Sequence, residues 1–177
     1  MGKEMTRNIW LISDTHFNHS NILNFKDKNE NLIRKFSDVH DMNETMIDRW
    51  NKLVKPQDKV YHLGDVYFGD EKQASFLLSR LNGHKRLVVG NHDNLKAPIL
   101  HKYFEKIVLW RKLSDNGLLL THVPVHESTL GEGRFKGKQI INVHGHTHQN
   151  GSPKGPYKSV CVELTDYTPM NIEEINE

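Results

Sequence analysis

The stretch Asn8-Ile9-Trp10-Leu11-Ile12-Ser13 leads directly into Asp14-Thr15-His16. Its apolar run has the length of a strand, so we predict a buried β-strand over residues 8–13. A carboxylate and an imidazole, both of which bind metal ions, follow at the end of that strand. Since residues i and i+2 of an extended chain face the same way, Asp14 and His16 can hold one ion together.

Four more polar motifs follow in order, each where a predicted strand gives way to a loop. They are Gly64-Asp65, Gly90-Asn91-His92-Asp93, Thr121-His122 and His144-Gly145-His146-Thr147-His148. Their side chains supply enough ligands for two metal ions that share one carboxylate, and Asp65 is the residue that we expect to bridge them. The predicted metal ligands are Asp14, His16, Asp65, Asn91, His122, His146 and His148.

Oxygen and nitrogen ligands without sulfur favour divalent Mn, Fe, Co, Ni or Zn, and we expect Mn or Fe here. Two such ions, about 3.5–4 Å apart, can hold a bridging hydroxide that attacks phosphorus, and they clamp the phosphoryl oxygens. The leaving alkoxide then needs a proton, for which His92 is the candidate. Asp93 beside it is expected to orient the His92 ring and to raise its pKa. The sequence therefore predicts a hydrolase of phosphate esters.

The composition fits this interpretation. The chain has 177 residues, a net charge of +2 and 12 histidines, a high number of the residue that most often binds metals. Its length fits one domain over residues 1–177. Cys161 is the only cysteine, which excludes a disulfide within the chain and a thiolate metal cage. Without an apolar run of membrane length or a secretory leader, we expect a cytoplasmic protein.

The spacing of apolar residues predicts two halves of different secondary structure. The first half alternates strands with helices, and the second is rich in strands, with a hairpin turn at Asp115-Asn116-Gly117. Asp41 and Glu44 suit a capping box at the start of the first helix. The predicted helices span residues 41–54 and 71–81. The predicted strands span residues 8–13, 59–63, 86–89, 106–113, 118–122, 139–143 and 159–164.

Taken together, the motifs resemble those of the calcineurin-like metallophosphoesterase superfamily, whose pattern is D-x-H, G-D, G-N-H-[DE], H and G-H-x-H. The resemblance runs from about residue 9 to about residue 165, and residues 13–23 look most like small phage and bacterial members. It implies an α/β fold, a four-layer αββα sandwich of two mixed β-sheets flanked by helices. It also implies two ligand sets: Asp14, His16, Asp65 and His148 for the first metal, and Asp65, Asn91, His122 and His146 for the second.

One departure from the family narrows the substrate class. Protein Ser/Thr phosphatases of this superfamily carry G-D-x-V-D-R-G, whereas this chain has Gly64-Asp65-Val66-Tyr67-Phe68-Gly69-Asp70 and lacks the phosphate-clamping arginine. We therefore expect a phosphodiesterase, and the resemblance to small members of the family implies a small-molecule substrate of nucleotide or cyclic nucleotide type. A phosphomonoesterase, a nuclease and a non-catalytic scaffold are the alternatives, and the small net charge gives no support to nucleic-acid binding.

The sequence does not decide the roles of three histidines and two loops. His19 and His126 either contact the substrate phosphate or lie exposed in loops. His144 shares strand parity with His146, but we expect Gly145 to turn it away, into the core or behind the ligands. Loops 17–38 and 130–138 are expected to shape the substrate pocket. The sequence names neither the physiological substrate nor the oligomeric state.

Overall fold

The computed structural model of the chain describes residues 7–131, 134–135 and 138–176. Its first sheet is built from five strands: β1 (Ile9–Ile12), β2 (Lys59–His62), β3 (His84–Val88), β4 (Lys106–Val108) and β11 (Met170–Asn171). Their spatial order is β11-β1-β2-β3-β4. Strands β1 to β4 run parallel, while β11 pairs antiparallel with β1. The carboxyl ends of β1, β2 and β3 therefore lie along one edge of the sheet.

The second sheet is built from four strands: β5 (Trp110–Leu113), β6 (Leu118–Thr121), β9 (Ile141–His144) and β10 (Tyr157–Ser159). Their order is β10-β9-β6-β5, in which β9 runs parallel to both neighbours and β5 pairs antiparallel with β6. A separate two-stranded hairpin joins β7 (Arg134–Phe135) to β8 (Lys138–Gln139). Both main sheets are mixed, and together with the flanking helices they confirm the predicted fold class.

Three α-helices accompany the sheets: α1 (Val39–Leu53), α2 (Glu71–Ser79) and α3 (Pro98–Tyr103). Helix α1 begins after Asp38, whose carboxylate accepts a hydrogen bond from the Asp41 backbone N–H at 2.8 Å. Our prediction that Asp41 and Glu44 cap this helix was wrong, because Asp38 occupies the capping position. Glu44 instead pairs with Arg80 through two contacts of 2.6 Å. No helix in the described part of the chain is long and apolar enough to cross a membrane.

Because successive side chains of a strand point to opposite faces, the first sheet separates two apolar layers of the core. In β1, Trp10 and Ile12 pack with the buried faces of the three α-helices, whereas Leu11 packs between the two sheets. Strand β3 divides in the same way, since Leu87 belongs to the helix layer and Val88 to the inter-sheet layer. The first sheet is therefore covered on both faces, which leaves its carboxyl edge as the place where polar groups can gather.

Other sequence-based predictions were corrected by the structure. The predicted strand 106–113 is two strands in different sheets, because the chain passes from one sheet to the other at Leu109. The predicted strand 159–164 is wrong beyond Ser159, since residues 162–167 form turns. Helix α3 was not predicted, because six residues are too few to show helical periodicity. Part of the predicted pocket loop 130–138 lies outside the described residues.

Candidate metal centre

The polar motifs follow the carboxyl ends of β1, β2 and β3 in one sheet and of β6 and β9 in the other. Backbone hydrogen bonds join them to one another: the Asp14 N–H donates to the Gly64 carbonyl at 3.0 Å, and the Gly145 N–H donates to the His122 carbonyl at 2.8 Å. Strand topology thus gathers residues that are far apart in sequence. We refer to the cluster of seven predicted ligands as the metal centre. It contains Asp14, His16, Asp65, Asn91, His122, His146 and His148.

Two buried carboxylates, Asp14 and Asp65, form the inner wall of the metal centre. His16 lies between them, with its Nε2 3.8 Å from Asp14 Oδ1 and 3.7 Å from Asp65 Oδ2. Asp14 Oδ1 and both His16 ring nitrogens are buried without a hydrogen-bond partner among the described residues. Buried polar atoms are normally paired. Of these atoms, Asp14 Oδ1 and His16 Nε2 face each other, as two ligands of one cation would.

A second group of side chains surrounds the Asn91 amide oxygen. Asn91 Oδ1 lies 2.8 Å from His122 Nε2 and 2.9 Å from His146 Nδ1, and His122 Nε2 lies 3.5 Å from Asp65 Oδ2. The other ring nitrogen of His122, Nδ1, donates to the Leu63 carbonyl at 2.7 Å. In the neutral ring, Nε2 is therefore an acceptor that faces two acceptor oxygens. A cation between these atoms would satisfy all three.

The surroundings of Asp65 disfavour its negative charge, which a nearby cation would stabilise. Burial raises the pKa of its carboxyl, and the nearby Asp14 carboxylate raises it further, although the His92 backbone N–H and His122 act in the opposite direction. A divalent cation would offset both the burial and the repulsion. The donor set thus fits divalent metal ions. Ligand atoms lie within 4.8 Å of one another in two overlapping groups: Asp14, His16 and His148, and Asp14, Asp65 and His122.

Backbone strain is concentrated in the metal centre. Five of the seven predicted ligands have the positive φ that non-glycine residues rarely adopt, each at a cost of roughly 1–3 kcal/mol. They are Asp14 (58°), His16 (47°), Asp65 (58°), His146 (69°) and His148 (49°). These left-handed residues turn the chain sharply in the loops that follow β1, β2 and β9. Strain of this kind at one place is typical of a functional site.

Two motif glycines allow the loops to approach one another closely. A Cβ at Gly90 would lie 2.5 Å from the Asp65 backbone nitrogen and would overlap its carboxylate. A Cβ at Gly145 would lie 2.8 Å from the Ser13 Cβ and would overlap the carboxylate of Asp14. The glycines of these motifs therefore let backbone pack directly against the two carboxylates.

His92 lies at the exposed rim of the metal centre. Its backbone N–H donates to Asp65 Oδ1 at 2.9 Å, and its ring centroid lies 5.9 Å from that of His16 and 5.1 Å from that of Phe68. The ring takes part in no hydrogen bond within the described residues. It is therefore open to a group that enters from solvent.

Asp93 has a different position from the one that we predicted. Its carboxylate accepts hydrogen bonds from the backbone N–H groups of Asp65, Val66 and Gly90, at 3.0, 3.0 and 2.8 Å. In the described part of the chain no hydrogen bond joins it to the His92 side chain, so the expectation that it orients that ring was wrong. Asp93 ties the loop after β3 to the loop after β2, which carries the Asp65 carboxylate.

Two charged residues behind the metal centre were missed in the sequence. Glu163 Oε1 accepts a hydrogen bond from His148 Nδ1 at 2.8 Å, which leaves His148 Nε2 facing Asp14 Oδ1 at 3.7 Å. The same oxygen accepts from Arg34 Nε and Nη2 at 2.9 and 2.6 Å. Arg34 also donates to the backbone carbonyls of Asp14 and Thr15. Glu163 and Arg34 are 129 residues apart, and no local pattern marks either one.

Burial alone would raise the pKa of Glu163, but the His148 hydrogen bond and the Arg34 charge outweigh it and lower the net pKa. For His148, burial lowers the pKa, while Glu163 more than reverses this effect. The Glu163 carboxylate thus fixes the tautomer of His148, as carboxylates behind metal-binding histidines commonly do.

The three histidines with open roles lie outside the ligand cluster. His19 Nδ1 accepts a hydrogen bond from the Ile22 N–H, and its ring packs against Phe68. His126 caps a short 3-10 helix in the same way, by accepting from the Ser128 N–H. His144 is buried, with its ring nitrogens bonded to the Gly145 carbonyl and to Ser152 Oγ. Of these three histidines, only His144 is buried next to a motif that contains predicted ligands.

Comparison with known proteins places these features in one family. A family model described as the calcineurin-like phosphoesterase superfamily domain matches residues 32–154. The uncharacterized protein MJ1445 of Methanocaldococcus jannaschii is 38% identical over 180 residues, covering 96% of this chain and 89% of its own length. The Gene 66 protein of Mycobacterium phage D29 is 28% identical over 166 residues, covering 80% and 78%.

A solved structure supports the fold over almost the whole chain. The crystal structure of a protein of unknown function from Aquifex aeolicus, AQ665, aligns with a TM-score of 0.74 at 29% identity. The alignment covers 97% of this chain and 98% of that protein. None of these three relatives has a name that states a substrate.

Proposed function

Because the chain belongs to the calcineurin-like phosphoesterase superfamily, we propose that it is a two-metal phosphodiesterase whose ligands are the seven residues of the metal centre. The family implies a metal-dependent hydrolase of phosphoric esters, with small-molecule phosphate esters as substrates. The number of ions, the ligand assignment and the preference for diesters are the proposed parts. The number of ions and the ligand assignment are supported by the convergence of oxygen and nitrogen atoms around Asp14 and Asp65, several of which are buried without a partner among the described residues.

The two ligand sets share one carboxylate. The first ion would be held by Asp14, His16, Asp65 and His148, and the second by Asp65, Asn91, His122 and His146. When bound, divalent ions polarise phosphoryl oxygens and lower the pKa of water to the range of an effective nucleophile. The donor set suits Mn or Fe, and also Zn, Co or Ni.

The side chains around the metals divide the remaining tasks. His92, whose ring is exposed at the rim and makes no hydrogen bond within the described residues, is the group that donates a proton to the leaving oxygen. Asp93 is a positioning residue, because its carboxylate holds the backbone of the loops that carry Asp65 and Asn91. Gly90 and Gly145 keep the backbone close enough for both loops to reach the carboxylates.

The preference for diesters rests on how much positive charge the protein offers to the substrate phosphate. A monoester dianion needs a cationic clamp, and the segment after Asp65 supplies Val66, Tyr67 and Phe68 instead of an arginine. Arg34 approaches the metal centre only from behind, where Glu163 and two backbone carbonyls occupy its guanidinium. A phosphodiester, which carries one negative charge less, places a smaller demand on such a site.

The test compares hydrolysis of bis-p-nitrophenyl phosphate with that of p-nitrophenyl phosphate in the presence of Mn²⁺. We expect faster turnover of the diester, and loss of both activities in EDTA with recovery when Mn²⁺ is restored. Faster turnover of the monoester would overturn the diester preference. Activity that persists after complete metal removal, checked by elemental analysis, would overturn the metal-dependent mechanism.

A substitution at His92 tests its role as the proton donor. His92→Ala should retain both metal ions yet lose about 10²–10⁴-fold in kcat, as expected for a lost acid–base group. His40→Ala, which removes an exposed histidine from α1, is the matched control and should leave kcat unchanged. Equal kcat values for His92→Ala and the wild-type protein would remove His92 from the mechanism.

A further inference from the structure

An apolar groove of about 630 Å³ opens beside the metal centre. Gly90, Asn91 and His122 line one part of it, so the groove shares residues with the metal centre. Leu109 and Trp110 are among the apolar residues of its wall. The volume lies within the roughly 300–1,000 Å³ that small-molecule pockets usually occupy.

The groove lies where the chain passes between the sheets. Strand β4 is the edge of the first sheet and β5 is the edge of the second, and Leu109 joins them. The Val89 N–H donates to the Val108 carbonyl at 2.9 Å, which holds this junction beside the loop that starts at Gly90. On the other side, Trp110 pairs with Thr121, the residue before His122. Both walls therefore lead directly to predicted ligands.

Large apolar side chains are exposed at this junction. Leu109 is 72% exposed, Trp110 is 61% exposed and Val123 is 45% exposed, and all three line the groove. The other two tryptophans, Trp10 and Trp50, are buried in the core. Single exposed apolar residues are common on protein surfaces, but several that line one cavity mark a binding site.

We propose that this groove binds an aromatic group of a phosphate ester whose phosphate lies at the metal centre. The inference rests on the proposed function and narrows its substrate class to esters that carry an aryl or similarly flat apolar group. An exposed indole offers a face for stacking, which adds to the gain from burial of the ring. The groove favours a small molecule over a macromolecular partner, because its volume lies in the range of small-molecule pockets and part of its lining consists of predicted metal ligands.

The test measures binding with phosphonates, whose P–C bond the enzyme does not hydrolyse. Calorimetry of the Mn²⁺-loaded protein compares 1-naphthylphosphonate with methylphosphonate. We expect the naphthyl compound to bind at least about tenfold more tightly, since its rings bury apolar area in the groove. Trp110→Ala should reduce this ratio to below about threefold, and Trp110→Phe should keep most of it because a stacking ring remains.

Phe76→Ala is the matched control, because Phe76 is an aromatic residue on α2 with a similar exposure of 63% that does not line the groove. It should leave the ratio unchanged. A wild-type protein that binds both phosphonates equally, or a Trp110→Ala variant with the wild-type ratio, would overturn the proposal. A wild-type dimer that Trp110→Ala converts to a monomer in sedimentation would also overturn it, because a second copy would then be the occupant.

Hydrolysis of bis-p-nitrophenyl phosphate by the same preparations separates this proposal from the proposed function. Hydrolysis without a preference for the naphthyl compound overturns the groove assignment alone. A clear naphthyl preference without hydrolysis of any ester overturns the phosphodiesterase assignment and leaves the groove as a binding site.

Discussion

The buried Arg34–Glu163 pair provides the sharpest test of how the metal centre is supported. Both side chains are almost completely buried, at 0% and 2% exposure, and their closest contact is 2.6 Å. Glu163→Ala would leave the Arg34 charge inside the protein without its carboxylate. Breaking a buried pair in this way typically costs about 3–5 kcal/mol. Arg34 would still donate to two backbone carbonyls, so we expect the lower end, about 3 kcal/mol.

Urea unfolding of the metal-free protein in EDTA measures this loss directly. With an m value of about 2 kcal/mol/M, the unfolding midpoint of Glu163→Ala should fall by about 1.5 M. Glu44→Ala is the matched control, because Glu44 also contacts an arginine, Arg80, at 2.6 Å. That pair is about one-third exposed, at 31% and 34%, so its loss should cost no more than about 1 kcal/mol.

The same variant should also bind metal more weakly. Without Glu163, the His148 ring loses the acceptor that fixes its tautomer, and such losses reduce metal affinity by about 10–100-fold. The double variant Arg34→Met/Glu163→Leu should recover much of the stability, because it removes both buried charges, but not the metal affinity. Equal unfolding midpoints for Glu163→Ala and Glu44→Ala would refute the reasoning from burial.

Three further predictions concern the metal centre and the strand behind it. Asp65→Asn should lose bound metal and activity together, which elemental analysis and the diesterase assay would show; a fully loaded variant would contradict the bridging role. Gly90→Ala should weaken Mn²⁺ binding at least tenfold in calorimetry, because its Cβ overlaps the Asp65 carboxylate; unchanged affinity would show that the loop can move aside. Burial lowers the pKa of His62 to about 4 in the folded protein. As the pH falls below 6.5, His62 is therefore protonated in the unfolded chain before it is protonated in the folded protein. The free energy of unfolding should fall by about 3 kcal/mol between pH 6.5 and pH 4. His62→Asn should remove this loss in urea unfolding at several pH values, and an unchanged pH dependence would refute the assignment.

The structure explains why His62 resists protonation. The Gly64 N–H donates to His62 Nδ1, so that Nε2 carries the proton and donates to Thr15 Oγ1. Thr15 in turn donates to the Val66 carbonyl. A second proton, on Nδ1, would oppose the Gly64 N–H and break the contact that shapes the loop before Asp65.

Much of the metal centre was predictable because its residues obey a simple rule. Each motif follows an apolar run of strand length, and parallel strands bring their carboxyl ends to one edge. Asp14, Asp65 and Asn91 therefore lie close together, as their positions after strands predicted: His16 contacts both carboxylates, and His122 contacts both Asp65 and Asn91. The spacing of apolar residues carried this information without any knowledge of side-chain contacts.

The remaining features depend on contacts between distant segments, which local patterns do not reveal. Arg34 lies in a loop without any periodic signal, and its partner Glu163 lies within a segment that forms turns instead of the predicted strand. The role of Asp93 depends on three backbone groups that meet only in the folded chain. The break at Leu109 was missed because leucine does not interrupt an apolar run, so nothing marked the change of sheet.

The left-handed backbone of five predicted ligands implies a conflict between activity and stability. His146→Gly, for example, would adopt the φ of 69° with little strain, but it would remove a predicted ligand. Selection for heat resistance in the absence of metal should therefore favour replacements that abolish turnover, whereas selection with metal present should retain these residues. A stabilised but active version of the protein is best sought by substitutions outside these five positions.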